Sequence, residues 1–168
     1  MEQITLDRDY LDFLRDLANQ QGIQYFNARF ASGQTTLFSL LNGVSKSSNS
    51  GIGKAFSIQA YTNGGWGLAV GEDFAKVSIE KVFNKASKLA KFSAKFSKGN
   101  YEINPTSNNE IFHEIKQKIP LQSISLDEKM RLLLEIEKNA HIDPRIVSTL
   151  INYSDGESEK ITYNNYLA

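Results

Sequence analysis

The chain has 168 residues, enough for one compact domain or for one domain plus part of a second. Its 19 basic and 19 acidic residues balance, which excludes the charge excess of a strongly basic nucleic-acid binder or of an acidic disordered tail. The absence of cysteine excludes disulfides, thiolate zinc sites and cysteine nucleophiles. The N-terminus lacks the features of a signal peptide and no run approaches the roughly 20 apolar residues of a membrane span, so we expect a cytoplasmic protein without a membrane partner.

The N-terminal segment predicts a helix of about four turns. Apolar residues recur at helical spacing from Leu6 to Ala18, after an N-cap at Thr5 or Asp7, and Gly22 marks the end of the helix. Since the apolar side chains share one face, we expect this helix to pack on a sheet.

An antiparallel meander is predicted to follow. Tyr25 to Ala31 alternates as a strand, and Ser32-Gly33-Gln34 predicts a break before the next strand. Two hairpin turns are predicted, at Asn42-Gly43 and within Thr62 to Gly65, because Asn-Gly between alternating runs favours a two-residue turn. The polar run Ser45 to Ser50 is expected to be exposed.

Two further helices are predicted from periodicity and capping. The first opens at Asp73 and ends at Gly99. Ser125 and Glu128 form a capping-box pattern that opens the second helix, which runs to about Ala140. The buried stripe of the first helix is expected at Ile79, Val82, Phe83, Ala86, Leu89 and Ala90.

The remaining segments are interpreted as a connector and a final hairpin. Residues 99–120 show no sustained period apart from a short helical possibility around Asn109 to Lys118. Arg145 to Tyr153 and Glu159 to Asn165 alternate as strands, and Asp155-Gly156 lies between them.

This order of elements predicts an α+β fold: a two-layer sandwich with a largely antiparallel sheet and helices packed on one face. Most predicted strands follow one another through turns that are too short for a parallel crossover. We expect an N-terminal α+β domain at 1–98, a connector at 99–120, and a helix-plus-hairpin region at 121–168 that is incomplete, because two strands and one helix form too little core.

No catalytic, cofactor-binding or metal-binding residue is predicted. His113-Glu114 lacks the second histidine of a zinc-peptidase helix, since Gln117 and Lys118 occupy the positions four and five residues on. His141 follows a predicted helix end, where a histidine commonly caps carbonyl groups. A surface or capping role is therefore favoured over metal binding for both histidines.

The lysines of the long helix permit two interpretations. Only Asp73 and Glu80 accompany them, so the positive charge could attract phosphates. A solvated face opposite the apolar stripe is favoured, because no aromatic RNA-binding pattern accompanies the charge. The lysines in question are Lys76, Lys81, Lys85, Lys88, Lys91, Lys95 and Lys98.

Glycines and carboxylates give no clear site. Gly51-x-Gly53 and Gly64-Gly65-x-Gly67 do not lie between a strand and a helix N-terminus, so they are interpreted as strand bends and turn residues and not as phosphate loops. Such glycines could also leave a sheet edge bare enough for an extended peptide to pair with it. The pairs Glu135/Glu137 and Glu157/Glu159 are interpreted as surface residues.

Several stretches taken in order resemble the N-terminal region of the TldD/PmbA family, the modulators of DNA gyrase, which are metallopeptidases. They are Tyr25 to Phe30, Asn42-Gly43, Gly51-Ile52-Gly53 before Trp66 to Ala69, Ile119-Pro120-Leu121, and Asp143 to Val147 leading to Tyr153-Ser154-Asp155. The similarity covers nearly the whole chain. Each motif is modest by itself, and their order along the chain supports the resemblance.

The resemblance implies a function. The family's zinc-binding helix and its later cysteine lie in a C-terminal domain, so no family ligand falls on a residue of this sequence, and zinc is expected only in that domain. We expect a non-catalytic N-terminal domain of a TldD/PmbA-like zinc metallopeptidase acting on peptides or unfolded segments. It would contribute substrate access and subunit assembly in a homo- or heterodimer with a TldD/PmbA-type subunit, and would be inactive alone.

The alternative is a stand-alone binding module for extended peptides or, less favoured, for nucleic acid through the lysine-rich helix. The sequence leaves open the peptide substrate, the composition of the dimer, the subfamily, and whether the chain is a shortened form or a naturally short protein.

Overall fold

Three α-helices and a four-stranded antiparallel sheet make up the described part of the chain, which confirms the predicted α+β class. A computed structural model of the protein describes residues 8–99, 101, 103 and 111–166. The sheet order is β3-β2-β1-β4. Among the described residues, none of the helices is long and apolar enough to cross a bilayer. The elements are α1 (Arg8–Gln21), β1 (Tyr25–Leu41), β2 (Val44–Thr62), β3 (Gly65–Gly71), α2 (Lys76–Ala94), a 3₁₀ turn (Leu121–Ser123), α3 (Leu126–Ala140) and β4 (Leu150–Asn164).

Helix α1 ends where the sequence predicts. Gly22 has a φ of +63°, a left-handed conformation that glycine adopts without steric cost. The amide of Ile23 donates to the carbonyl of Ala18 at 2.9 Å, the hydrogen bond of a Schellman helix end. The predicted N-caps Thr5 and Asp7 lie outside the described residues.

Both predicted Asn-Gly hairpins are confirmed. Asn42 and Gly43 have φ values of 53° and 73°, and Asn63 and Gly64 have values of 49° and 80°. Two consecutive positive φ angles define the type I′ turn, whose twist matches that of paired strands. Each turn joins its strands through two residues, so the register of β1 with β2 and of β2 with β3 is set locally.

The predicted break at Ser32-Gly33-Gln34 is wrong, because β1 continues through it. Ser32 is only 5% exposed and keeps the inward alternation of the strand. A Cβ at Gly33 would lie 2.8 Å from the carbonyl oxygen of Glu157 on β4, so this glycine permits close strand packing and makes no turn.

The prediction of a final hairpin is also wrong, since a single strand, β4, runs from Leu150 to Asn164. Asp155-Gly156 therefore lies inside a strand. A Cβ at Gly156 would come within 2.9 Å of the carbonyl oxygen of Gln34, which again indicates close approach of β1 and β4. The helical possibility before Lys118 is not realised in residues 111–118, and residues 109–110 lie outside the described part.

The described residues group into two compact units, and the strands β1, β2 and β4 each contribute to both. The two-helix unit contains α1, α2, β3 and the described residues of 8–32, 54–112 and 159–166. The one-helix unit contains Gly33–Gly53 and His113–Ser158, with α3. The division into 1–98, 99–120 and 121–168 stays a prediction.

The two-helix unit has an aromatic core between its helices and its strands. Phe26 of β1 meets Phe83 of α2 edge to face at 5.8 Å, and Phe30 stacks on Phe56 of β2 at 5.4 Å. Such pairs contribute about 0.5–1.5 kcal/mol beyond their buried area. The aliphatic part of the core comes from Leu11, Leu14, Leu17, Ile58, Ile79, Ala86 and Ala90.

Helix α2 lies directly on a glycine face of β3. A Cβ at Gly65 would fall 2.2 Å from the carbonyl oxygen of Ala90, and one at Gly67 would fall 2.1 Å from that of Ala86. These glycines therefore allow helix backbone to touch strand backbone, which no larger residue permits. The apolar residues of β3, Trp66, Leu68 and Val70, consequently lie on the opposite, exposed side.

The one-helix unit has a smaller core, formed by Phe38 and Leu40 of β1 with Leu133 of α3. Ser125 caps α3 as predicted: its hydroxyl accepts the amide of Glu128 at 3.2 Å, and the Glu128 carboxylate accepts the Ser125 amide at 2.8 Å. Residues 44–55 of β2 are exposed throughout. They extend past the part of β2 that pairs with β3, which begins at Phe56.

We predict that Gly67→Ala destabilises the protein by about 1–3 kcal/mol, because its methyl group would overlap the α2 backbone. Gly51→Ala is the matched control, since nothing lies within 4 Å of a Cβ at that position of β2. It should change the free energy of unfolding by less than about 0.5 kcal/mol in denaturant titrations. Equal stability of the two variants would contradict the proposed helix–strand contact.

Candidate functional site

The one-helix unit contains a cavity of about 320 Å³ next to the N-terminal half of α3. Strands β1 and β2 contribute polar side chains to its wall, and the segment from Leu121 to Leu126 contributes mostly apolar ones. Lys129 of α3 and Asp155 of β4 also line it, and both side chains are largely buried. The cavity therefore combines a concave shape with charged groups.

Lys129 and Asp155 form a buried ion pair. The Lys129 ammonium lies 2.7 Å from the Asp155 carboxylate, and the two side chains are 7% and 12% exposed. The Tyr153 hydroxyl donates a further hydrogen bond to the same carboxylate, and so does Thr36. Asp155 is thus held by one cation and two hydroxyl donors.

The environment shifts the acidities of this cluster. Burial alone would raise the pKa of the Asp155 carboxyl, but the hydrogen bonds from Lys129 and Tyr153 outweigh burial and leave its pKa below the ordinary 3.8. Burial and the hydrogen bond to ionised Asp155 raise the pKa of Tyr153 to about 12. Near neutral pH the Asp155 carboxyl is therefore ionised and Tyr153 is a neutral phenol, so neither of these two groups is poised to exchange a proton.

Local sequence explains how the pair is placed. Lys129 is four residues before Leu133, so both side chains lie on the face of α3 that packs on the sheet. Asp155 is two residues after Tyr153 and shares its face of β4. Sequence reasoning missed both residues, because Lys129 was not singled out within the predicted helix that Ser125 opens and Asp155-Gly156 was placed between two predicted strands. The detectable signal was a charged residue at an inward position of each pattern.

The histidines lie apart from the cavity. His141 follows α3 at its C-cap position, as predicted, and its Nε2 lies 2.9 Å from the Glu137 carboxylate. That carboxylate also accepts the hydroxyl of Thr149 at 3.0 Å. His113 is exposed and lies in the non-helical segment 111–118.

Zinc does not fit the donor set of the described residues. Within 8–99, 101, 103 and 111–166, no three histidine, cysteine or carboxylate side chains come together in a group that could hold a metal. A catalytic zinc site needs three protein ligands. No step of a metal-assisted reaction can be derived from these residues.

The lysines of α2 are exposed, which agrees with the interpretation of this helix side as a solvated face. Lys76 lies over the rings of Tyr10 and Phe13, 5.4 and 5.6 Å from their centroids, so it contributes to packing of the helix start. The buried stripe is formed by Ile79, Phe83, Ala86, Ser87 and Ala90, while Val82 is half-buried and Leu89 is exposed.

Strand β3 is an outer strand of the sheet, and no strand of the described part of the chain pairs with its other side. Thr62 and Gly65 close the two-residue hairpin, so Gly67 and Ala69 form the hydrogen-bonded pairs with β2. The main-chain groups of the intervening residues point outward. Among these, the carbonyl of Trp66 accepts the hydroxyl of Ser93 at 2.7 Å.

Sequence comparison finds two archaeal metalloproteases among the relatives. No protein-family profile matches the chain. A metalloprotease of Methanocaldococcus jannaschii is 28% identical over 139 residues, which are 82% of this chain and 30% of that protein. A metalloprotease of Methanothermobacter thermautotrophicus is 23% identical over 163 residues, which are 96% of this chain and 34% of that protein.

Solved structures share the fold over almost the entire chain. A protein of Bacteroides thetaiotaomicron named as a modulator of DNA gyrase has a TM-score of 0.76 at 16% identity, covering 94% of this chain and 36% of that one. A protein of the same description from Thermotoga maritima has a TM-score of 0.68 at 18% identity, covering 96% and 36%. TldE of Thermococcus kodakarensis has a TM-score of 0.64 at 12% identity, covering 95% and 34%.

The fold is therefore that of proteins named as modulators of DNA gyrase. Together with the metalloprotease relatives, it confirms the resemblance predicted from the sequence, which is to the TldD/PmbA family. The chain spans about a third of the length of the relatives that it matches.

We predict that Lys129→Met lowers the free energy of unfolding by about 3–5 kcal/mol, because it leaves the Asp155 carboxylate buried without a counter-charge. Lys138→Met, on the exposed side of the same helix, should change it by less than about 0.5 kcal/mol. Adding Asp155→Asn to Lys129→Met should recover most of the loss, and denaturant titrations measure all three. Stability of Lys129→Met equal to that of Lys138→Met would contradict the buried pair.

We predict that Tyr153 ionises near pH 12. The folded protein favours its neutral phenol, so this stabilisation is fully present below the ordinary pKa of 10.0 and is lost as the pH rises through about 12. The difference in phenolate absorbance between wild type and Tyr153→Phe follows this single group. In Asp155→Asn the transition should move to lower pH, and an unchanged midpoint would exclude Asp155 as a cause.

Proposed function

We propose that this chain is the non-catalytic N-terminal domain of a TldD/PmbA-like zinc metallopeptidase that acts on peptides or unfolded segments. In this proposal it contributes surfaces for substrate access and for assembly with a TldD/PmbA-type subunit. Zinc and the catalytic residues would come from a separate C-terminal domain.

One observation carries this proposal: the fold match covers 94–96% of this chain and only 34–36% of each solved neighbour. A unit that corresponds to about a third of its relatives is expected to supply part of their function. The relatives named as metalloproteases likewise extend well past the matched region.

The chemistry of the described residues supports a non-catalytic role. Lys129 and Asp155 of the cavity pair with each other, and the lowered pKa of the Asp155 carboxyl leaves it without a proton to exchange near neutral pH. Glu137 and His141 are engaged with each other at the end of α3, and Thr149 occupies the same carboxylate. These groups stabilise elements of the fold.

Exposed apolar side chains supply candidate assembly surfaces in each unit. In the two-helix unit, Leu68 and Val70 of β3 are 57% and 70% exposed. In the one-helix unit, Leu132 and Ile136 of α3 are 53% and 47% exposed and lie one helical turn apart. Contiguous exposed apolar residues commonly mark sites of protein association.

We predict that this chain alone binds no stoichiometric zinc and cleaves no peptide. Atomic absorption of the purified protein measures zinc, and a quenched fluorescent peptide library measures cleavage. The full-length metalloprotease of Methanocaldococcus jannaschii is the matched positive control. Stoichiometric zinc or turnover by this chain would refute the non-catalytic assignment.

A second candidate function is the binding of an extended peptide at the free edge of β3. The register places the main-chain N–H and C=O groups of Leu68 and Val70 on the side away from β2. An added strand would pair with these groups, while the exposed Leu68 and Val70 side chains contact alternate residues of the peptide.

We predict that Val70→Pro weakens binding of an extended peptide by about tenfold or more, because proline removes an outward amide donor. Val70→Thr keeps the amide and should bind as the wild type does. Fluorescence anisotropy of labelled peptides at low and high salt measures both variants, and salt should have little effect because backbone groups are uncharged. Equal affinities of the two variants would exclude pairing at this edge.

A further inference from the structure

The cavity of the one-helix unit has the size of a ligand site. Its volume of about 320 Å³ lies within the range of small-molecule pockets, roughly 300–1,000 Å³, and far exceeds the space of one water molecule. Gln34, Thr36 and Ser50 line it from the sheet, and Leu121 and Ile124 line it from the segment before α3.

The hydrogen bonds around the ion pair are unequally distributed. Asp155 accepts from Lys129, Tyr153 and Thr36, so its carboxylate is well supplied with donors. The Lys129 ammonium carries three donors, and within the described part of the chain it pairs with Asp155. The buried ammonium at the cavity wall therefore has N–H donors beyond the one that Asp155 accepts.

Charge around the cavity disfavours an anion. Lys129 is the only cation among the described lining residues, and Asp155 already neutralises it. Glu157 adds a second carboxylate to the wall, where it accepts the side-chain amide of Gln122. At the N-terminus of α3 the capping box already engages the amides of Ser125 and Glu128, and the acidic Asp127 and Glu128 of the first turn further disfavour an anion. A ligand should therefore accept hydrogen bonds without carrying negative charge.

We propose that this cavity binds a neutral amide. Its carbonyl oxygen would accept a hydrogen bond from the Lys129 ammonium, and an apolar substituent would contact Leu121 and Ile124. The amide could belong to a small free molecule or to a peptide segment, since both present the same group. This inference goes beyond the proposed domain role and does not depend on zinc or on a partner subunit.

Three isosteric probes test the proposal on the intact chain. Isovaleramide carries the neutral amide, isovalerate replaces it by a carboxylate, and isopentylamine replaces it by an ammonium group, with the same branched tail. In ¹H–¹⁵N correlation spectra, isovaleramide should give saturable shifts at Gln34, Ser50 and Gln122, which line the cavity. Isovalerate and isopentylamine should bind at least about tenfold more weakly.

A fourth probe, N-acetyl-leucine methylamide, distinguishes the two sources of the amide. Tighter binding than isovaleramide assigns the site to a peptide segment, and weaker binding assigns it to a small free amide. Both results support the proposal.

Two variants separate the site from the fold. Ser50→Leu places a larger side chain in the cavity from an exposed strand position and replaces neither member of the ion pair, so it should weaken isovaleramide binding by about tenfold or more. Ser48→Leu, two residues away on the same face of β2 and outside the cavity, is the matched control and should bind as the wild type does.

Non-saturable shifts with isovaleramide would overturn the proposal and leave water as the occupant. Isovalerate binding as tightly as isovaleramide would overturn the charge argument on which it rests. Unchanged isovaleramide affinity in Ser50→Leu would place any binding elsewhere.

Discussion

Contact between the backbone of α2 and the backbone of β3 is the constraint on which the two-helix unit depends. Gly65 and Gly67 leave no side chain between the helix and the strand, so carbonyl oxygens of Ala86 and Ala90 come against the strand itself. This close approach brings Phe83 into contact with Phe26. It also allows β3, which has only seven residues, to form one side of the core. It also determines which side of β3 faces outward, and hence why the apolar residues there remain available for association.

The one-helix unit is held by different forces. Its apolar core is small, and α3 is anchored beside it by the pair of Lys129 and Asp155. A buried ion pair adds little net stability compared with apolar residues of the same size, but it is costly to separate. Because separating the pair would leave a buried charge, it favours the observed position of α3 on the sheet.

Much of the fold could be predicted because its signals are local. Asn42-Gly43, Asn63-Gly64, Gly22 and the Ser125–Glu128 box each determine backbone geometry over two to four residues, and the structure follows all of them. Gly33 and Gly156 were misinterpreted as breaks, because a glycine required by a neighbouring strand has the same local sequence as one required by a turn. The charged pair was missed for the same reason, since its two members are 26 positions apart in the printed sequence and only the sheet brings them together. The resemblance to a known family could be recognised from the sequence because it depends on the order of the motifs. That order is kept even where individual residues differ.

Residues 44–55 of β2, exposed throughout and lying past the paired part of β3, have a consequence for behaviour at high concentration. A long strand with one vacant hydrogen-bonding side would ordinarily recruit the same strand of another molecule and seed fibrils. Serine, asparagine and glycine make up most of this segment, with Lys46 and Lys54 near its two ends. The low β-propensity of these residues and the mutual repulsion of the lysines oppose such stacking.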